Sequence, residues 1–401
     1  MRLKGGILCA FVALLSLGGC YKDHFGLPPS PAPERGSIYS IEKVFGMSLS
    51  EATVAVNDTL VARKLRYGID FYKVRYWTLH ETDIVRTAAL FAVPRLEEGT
   101  RHRLAAYFHG TIIPLDLPVL TSSLPSEYQG GWCIKDISYC VIPLASAGFC
   151  VVAPDYTGYG ETSDRDHPFI YYPELFKSCL DGLYAARKVA DSLGLDMVEK
   201  DIWLTGWSQG GGAALYVQRE LEKSYTDDFT VKATSTLAGP FNIRHFMQDV
   251  MDNPTTIYPA IALYSWAGYA MNRFSPQMKR PSDQVFRVPI YSQSSSFLMM
   301  STTPEELFQD FFMQNIRNGK DTQFLRTMED CSTCSGWTPR AKVYLHHGTD
   351  DPIVPFFNAE DAYMGLKGSG NVELHAKKGG VHDSFVPEFI YHTIEELEAN
   401  R

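Results

Sequence analysis

Gly206-Trp207-Ser208-Gln209-Gly210 sets a serine between glycines, a spacing that lets the chain turn sharply and present the hydroxyl to a carbonyl carbon. Five residues of this kind occur by chance, so the context has to decide. The β-rich run Ile202-Trp203-Leu204-Thr205 precedes the motif, and a stretch with helical spacing follows it from Gly211 to Lys223. A strand, a tight turn and a helix are what a nucleophile elbow requires. The helix N-terminus then aims free N–H groups at the reacting oxygen.

A serine hydroxyl is a weak nucleophile at neutral pH; it needs a base, and the base needs an acid to hold its tautomer. Downstream, His347-Gly348-Thr349-Asp350-Asp351-Pro352-Ile353-Val354-Pro355 follows a predicted strand and offers the acid. Asp351 is preferred, because it stands directly before the run that leads into the next helix, and Asp350 is the fallback. Gly379-Gly380-Val381-His382-Asp383 offers the base, 31 residues beyond Asp351. Ser208, Asp351 and His382 would carry out acyl transfer through a covalent intermediate, without cofactor or metal. The backbone N–H of Gln209 is the first expected oxyanion donor. The second is expected at Thr111, with Gly110 next to it, in the loop that ends the apolar run Leu104–Phe108. His109 is given no proton-transfer role. His346 and His347 are expected to support the acid loop, His375 lies within a strand, and His392 is expected at the surface of the last helix or packed beneath it.

The elements that must position these groups alternate. Val74–Leu79 and Ile84–Val93 read as a hairpin around His80–Asp83, and Leu104–Phe108 and Gly148–Ala153 as buried parallel strands. A helix with apolar residues at Leu175, Cys179, Leu183, Ala186, Ala190 and Leu193 follows. Strands at Ile202–Gly206, Val231–Leu237, Ala341–Leu345 and Val372–Ala376 come next, with a helix after Pro355 and a last one from Pro387 to Ala399. The fold class is therefore α/β, a mostly parallel sheet with helices on both faces. From Gly239 to Ala341 the connection is far longer than the usual loop. Its aromatic and Met residues, among them Phe246, Met247, Tyr264, Trp266, Met271, Phe308 and Phe312, suit a mainly helical cap over a pocket.

The chain has 401 residues, a net charge of -9 and no block of like charge, which removes nucleic acid from the expected partners. Arg2 and Lys4 precede an apolar run, Ile7–Leu17, that is too short to span a bilayer but suits a secretory signal. Leu17-Gly18-Gly19-Cys20 resembles a bacterial lipobox, which makes Cys20 the expected lipidation site. The lipid anchor is then the chain's only expected tie to a membrane. The expected division is a signal at 1–20, a Pro-rich tether at 21–38, a core formed by 39–240 and 336–401, and a cap at 241–335. Cys133, Cys140, Cys150, Cys179, Cys331 and Cys334 remain. Cys331-Ser332-Thr333-Cys334, in what reads as a loop from Met328 to Pro339, is expected as a disulfide or two free thiols, because zinc would need further ligands close by.

Phe108-His109-Gly110-Thr111, Ala153-Pro154-Asp155-Tyr156-Thr157-Gly158-Tyr159-Gly160, Gly206-Trp207-Ser208-Gln209-Gly210-Gly211 and Gly348–Pro355 together resemble the bacterial secreted α/β-hydrolases of the esterase/lipase type. The similarity is to the cell-wall-degrading esterases of plant-pathogenic bacteria and, more distantly, to fungal secretory lipases. It implies an α/β-hydrolase fold with a late lid insertion and a cofactor-free Ser-His-Asp triad, whose roles fall on Ser208, His382 and Asp351. It also implies a carboxylic-ester hydrolase acting on short- to medium-chain acyl esters or acylated plant polysaccharide. The expected address is the outer membrane of a Gram-negative bacterium, facing the periplasm or the exterior. Two competing readings remain: a serine peptidase of prolyl-oligopeptidase type, and a retired hydrolase that binds glycan or lipid in the envelope.

Overall fold

A computed structural model describes residues 33–113, 124–130 and 136–401; the signal, Cys20, most of the Pro-rich tether and Cys133 lie outside the described residues. Nine strands form one sheet: β1 (Ile38–Met47), β2 (Ile69–His80), β3 (Asp83–Pro94), β4 (His102–Phe108), β5 (Phe149–Pro154), β6 (Met197–Trp207), β7 (Thr230–Leu237), β8 (Lys342–Gly348) and β9 (Val372–Lys377). Their order is β1-β2-β3-β5-β4-β6-β7-β8-β9. The pairs from β1 to β5 are antiparallel, and those from β5 to β9 are parallel. Every residue of β5 is buried, as continuous apolar runs in a doubly covered sheet must be.

Short helices α1 (Leu49–Val56) and α2 (Ile142–Ser146) precede the long α3 (Tyr172–Ser192), and α4 (Gln209–Ser224) follows β6. Between β7 and β8 lie α5 (Ile243–Asp252), α6 (Ile261–Phe274), α7 (Ser295–Leu298), α8 (Pro304–Leu307), α9 (Asp310–Arg317) and α10 (Thr322–Cys331). Then come α11 (Phe357–Leu366) and α12 (Val386–Ala399). One apolar core joins a sheet face to α3, α4 and the helices between β7 and β8, and a second joins the opposite face to α1, α2 and α12. The β2–β3 hairpin reaches the insertion: Glu81, at its tip with φ 52°, pairs both carboxylate oxygens with Arg273 of α6 at 2.6 and 2.7 Å. No helix among the described residues is long and apolar enough to cross a membrane.

Three expectations need correction. The sheet starts at β1, well before the first expected strand at Val74. Register shifts at Ile38/Ser40 and Lys43/Phe45 break the alternation that marks a strand in sequence. The segment Met328–Pro339 is not all loop, because α10 runs through Cys331. His346 does not support the acid loop; its ring faces α12 instead. Cys140, Cys150, Cys179, Cys331 and Cys334 are free thiols and buried, so the CxxC follows the second of its two expected states. Burial pushes the Cys331 thiol far above its ordinary range, which keeps it protonated and inert.

Candidate active site

Ser208 sits between the end of β6 and the start of α4 at φ 58° and ψ -124°, a strained conformation for a residue with a side chain. The close packing explains the flanking glycines. A Cβ on Gly206 would lie 2.2 Å from the Gly210 carbonyl oxygen, and one on Gly210 would lie 1.9 Å from that of Phe108. The strand-to-helix turn is fixed by the Ser208 N–H donating to Leu237 O at 2.8 Å, while Gly211 N–H donates back to Ser208 O at 2.9 Å.

The loops after β8 and β9 bring Asp351 and His382 to this serine. His382 Nε2 is 2.8 Å from Ser208 Oγ, and its Nδ1 is 2.8 Å from Asp351 Oδ2. The other carboxylate oxygen accepts the N–H groups of Ile353 and Val354 at 2.8 and 3.0 Å. Burial alone would raise the Asp351 carboxyl. The hydrogen bonds from His347, His382 and Ile353 outweigh it and hold the group well below the usual carboxylate range. His347, fully buried, donates from Nε2 to Val354 O at 2.8 Å with Asp351 Oδ2 at 3.4 Å, so it supports the acid loop as expected. Asp350 is exposed and accepts from Thr349 Oγ1, which leaves Asp351 as the aspartate beside the imidazole. The indole Nε1 of Trp207 donates to His382 O at 3.1 Å and so ties the base loop to the elbow.

Of the expected oxyanion donors, Gln209 and Thr111 line the same cavity as Ser208. Among the described residues, neither of their backbone N–H groups has an acceptor. Gly110 is a correction. Its N–H donates to Asp136 Oδ1 at 2.9 Å, and Asp136 also accepts the Tyr107 hydroxyl, so that donor is already engaged. His109 is buried and stacks on Tyr156, in keeping with a packing role.

One group near the site had no sequence signal. His167 is buried after β5, with Nδ1 2.8 Å from Thr157 O and Nε2 2.6 Å from the side-chain amide nitrogen of Gln209. The carbonyl fixes the proton on Nδ1, so Nε2 accepts from Gln209. Burial pushes the imidazole down to about 3, so it stays neutral. The backbone N–H of His167 donates to Gln293 Oε1 of the insertion at 2.7 Å. The insertion is thereby linked through His167 to the residue that follows the serine. Nothing in Asp166-His167-Pro168 distinguishes this histidine from a surface one.

The cavity above Ser208 is narrow and apolar, with a volume of about 40 Å³. Phe169, Ile170, Ile243, Phe246, Met247, Leu263, Tyr264, Met271 and Ile353 form most of its walls. Other aromatic residues of the insertion point elsewhere: Phe308 and Phe312 pack against Phe286 and Phe324, and Trp266 stacks on Phe169 in the loop after β5. The expected link between aromatic density and a pocket therefore holds for only part of the set.

Comparison with known proteins agrees with the fold. The esterase LipA from Xanthomonas oryzae, described as degrading the rice cell wall, superposes with a TM-score of 0.77 at 20% identity over 92% of this chain and 100% of its own. Candida antarctica lipase A in its closed state gives a TM-score of 0.59 at 15% identity over 90% of this chain and 83% of its own. Human serine hydrolase BPHL is 23% identical over 245 residues, 60% of this chain and 67% of the human protein. Residues 108–387 match the Alpha/beta hydrolase family, a span that holds the elbow, both supporting loops and the insertion, and the chain belongs to that family.

Proposed function

We propose that the chain is a serine carboxylic-ester hydrolase. Ser208 attacks the ester carbonyl while His382 Nε2 takes its proton, and Asp351 holds the imidazole and stabilises the imidazolium. The N–H groups of Gln209 and Thr111 receive the oxyanion. The imidazolium of His382 protonates the leaving alcohol, which leaves an acyl-enzyme on Ser208; His382 then deprotonates a water that attacks the acyl carbon and returns the proton to Ser208 as the acid departs. The observation that carries this reading is the hydrogen-bonded series Ser208–His382–Asp351 at 2.8 Å per step, opening onto an apolar cavity.

The cavity walls suit an acyl chain of short to medium length. Each methylene buried there contributes about 0.8 kcal/mol, or roughly fourfold in kcat/KM, until the slot is full. The helices between β7 and β8 act as a cap over that chain. The alcohol part of the ester leaves toward solvent, and acylated polysaccharide is one such substrate, the class suggested by the cell-wall esterase LipA. Secretion and lipidation at Cys20, on the outer membrane of a Gram-negative bacterium, would place the enzyme where such esters are met.

A ladder of p-nitrophenyl esters from acetate to palmitate, run with the full chain and with Ser208→Ala, tests the proposal. Activity should peak at a short or medium chain and fall by at least about 10³-fold in the variant. Equal rates in both proteins would overturn it.

A further inference from the structure

Two histidines outside the catalytic series, His346 and His375, meet on the other side of β8. Successive strand residues point to opposite faces, so His347 turns toward Asp351 while His346 turns toward α12. His346 of β8 and His375 of β9 are register partners across the parallel pair, and their rings stack at 4.6 Å with 13° between planes. Glu396 of α12 reaches over them. Its Oε1 lies 2.9 Å from His346 Nε2 and 3.7 Å from His375 Nε2. Its Oε2 accepts the Ser235 hydroxyl of β7 at 2.7 Å, and Ser235 is itself 2.8 Å from Thr393 Oγ1. The carboxylate is therefore oriented from behind; Oε2 also lies 3.2 Å from His346 Nε2, and Oε1 is the oxygen nearer both imidazoles.

We propose that His346, His375 and Glu396 form a binding site for a divalent cation of the zinc type, distinct from the catalytic series. Two imidazoles and a carboxylate are an established zinc donor set. Around a tetrahedral ion with bonds of about 2.0–2.2 Å, neighbouring ligand atoms stand about 3.3–3.6 Å apart. The donor atoms lie within 4.8 Å of one another, so small side-chain rotations bring them to that spacing. His346 is nearly buried and Glu396 mostly so, whereas His375 is 45% exposed and gives the ion an entry path. His392, one helical turn before Glu396, lines the same surface cavity, and its ring lies parallel to that of His346 at 6.4 Å. The hydrogen bond from Ser235 supplies the outer support that metal-ligating carboxylates have.

An ion here joins α12 to the two strands whose following loops carry Asp351 and His382. It touches no reacting atom, so its effect is on the stability of that edge of the sheet. The test uses the full chain, stripped with a chelator and dialysed against zinc sulfate, with bound metal measured by mass spectrometry and thermal midpoints recorded with and without zinc. Wild type should retain one equivalent and unfold at a higher temperature with zinc, and cobalt(II) in its place should show the visible bands of a tetrahedral ion. In His375→Ala, a half-exposed position that leaves the core intact, affinity should fall at least tenfold and the thermal shift should vanish. Ser235→Ala should weaken binding by about tenfold. Wild type that retains no zinc, or His375→Ala that binds it as tightly as wild type, would overturn the proposal. Neither result bears on the ester chemistry.

Discussion

The elbow and the insertion border the same cavity but are specified by different physics. Around Ser208, positions are set by backbone contacts that admit no larger residue and by hydrogen bonds with one geometry: the two glycines, the Leu237 carbonyl and the Trp207 indole. Across the cavity, Phe246, Met247, Leu263 and Met271 meet the same space through apolar contact, which many side chains can supply, and only Tyr264 adds a hydrogen bond, to Ile353 O at 3.0 Å. Changes in the first region should therefore abolish turnover whatever the acyl chain, and changes in the second should reset which chain is preferred.

The sharpest break in that contrast is at the acid loop. Asp351→Asn, which strands the imidazole in the wrong tautomer, should lower kcat by about 10⁴-fold, while the neighbouring Asp350→Asn should leave it unchanged. Steady-state kinetics on one ester decides between them. Thr111→Pro removes a single N–H and should reduce kcat by about 10²–10³-fold with little change in KM. Loss of Thr111's donor with no change in kcat would remove it from the oxyanion site. On the insertion side, Met247→Trp should shorten the preferred acyl chain, lowering kcat/KM for longer esters by roughly fourfold for each methylene excluded while acetate is spared. His167→Phe tests the link between the two regions. It strands the Gln209 amide and the Thr157 carbonyl, and should cost about 1–3 kcal/mol of stability for each, read by denaturant unfolding.

A pH-dependent effect concerns a buried acid directly after β5. Burial pushes the Asp155 carboxyl up to about 7, against two hydrogen bonds from Ser126. A folded-state value above the unfolded one means the native chain binds more protons, so this group's contribution is fully present below about pH 4 and is lost as pH rises through about 7. Asp155→Asn should flatten that part of the stability profile, measured by chemical denaturation across the range.

What the sequence makes legible follows the same division. Ser208, Asp351 and His382 stand at the ends of strands in short motifs with their own local chemistry, and the structure brings them within hydrogen-bond reach of one another. The parallel strands are legible because burial on both faces forces continuous apolar runs, as in Phe149–Pro154. β1 is not, since its two register shifts scramble the alternation, although the Ser48–Glu51 capping box marks the helix just after it. Gly110 and Thr111 are adjacent, and only the position of Asp136, far from both in sequence, shows which N–H is engaged. His167, and the pairing of His346 with His375 and Glu396, depend on contacts between distant elements that no local pattern records. The insertion's aromatic residues announce burial, but whether each faces the cavity or the core it shares with the sheet is decided only by the packing of six helices.

The central claim is that Ser208 is the nucleophile. Titrating the full chain with a fluorophosphonate, while following intact mass and p-nitrophenyl butyrate hydrolysis together, tests it most directly. One adduct per chain, located on the peptide containing Ser208, with activity falling in proportion to labelling, is the predicted result. Full hydrolysis by fully labelled chain, or an active chain that never takes the label on Ser208, would contradict it.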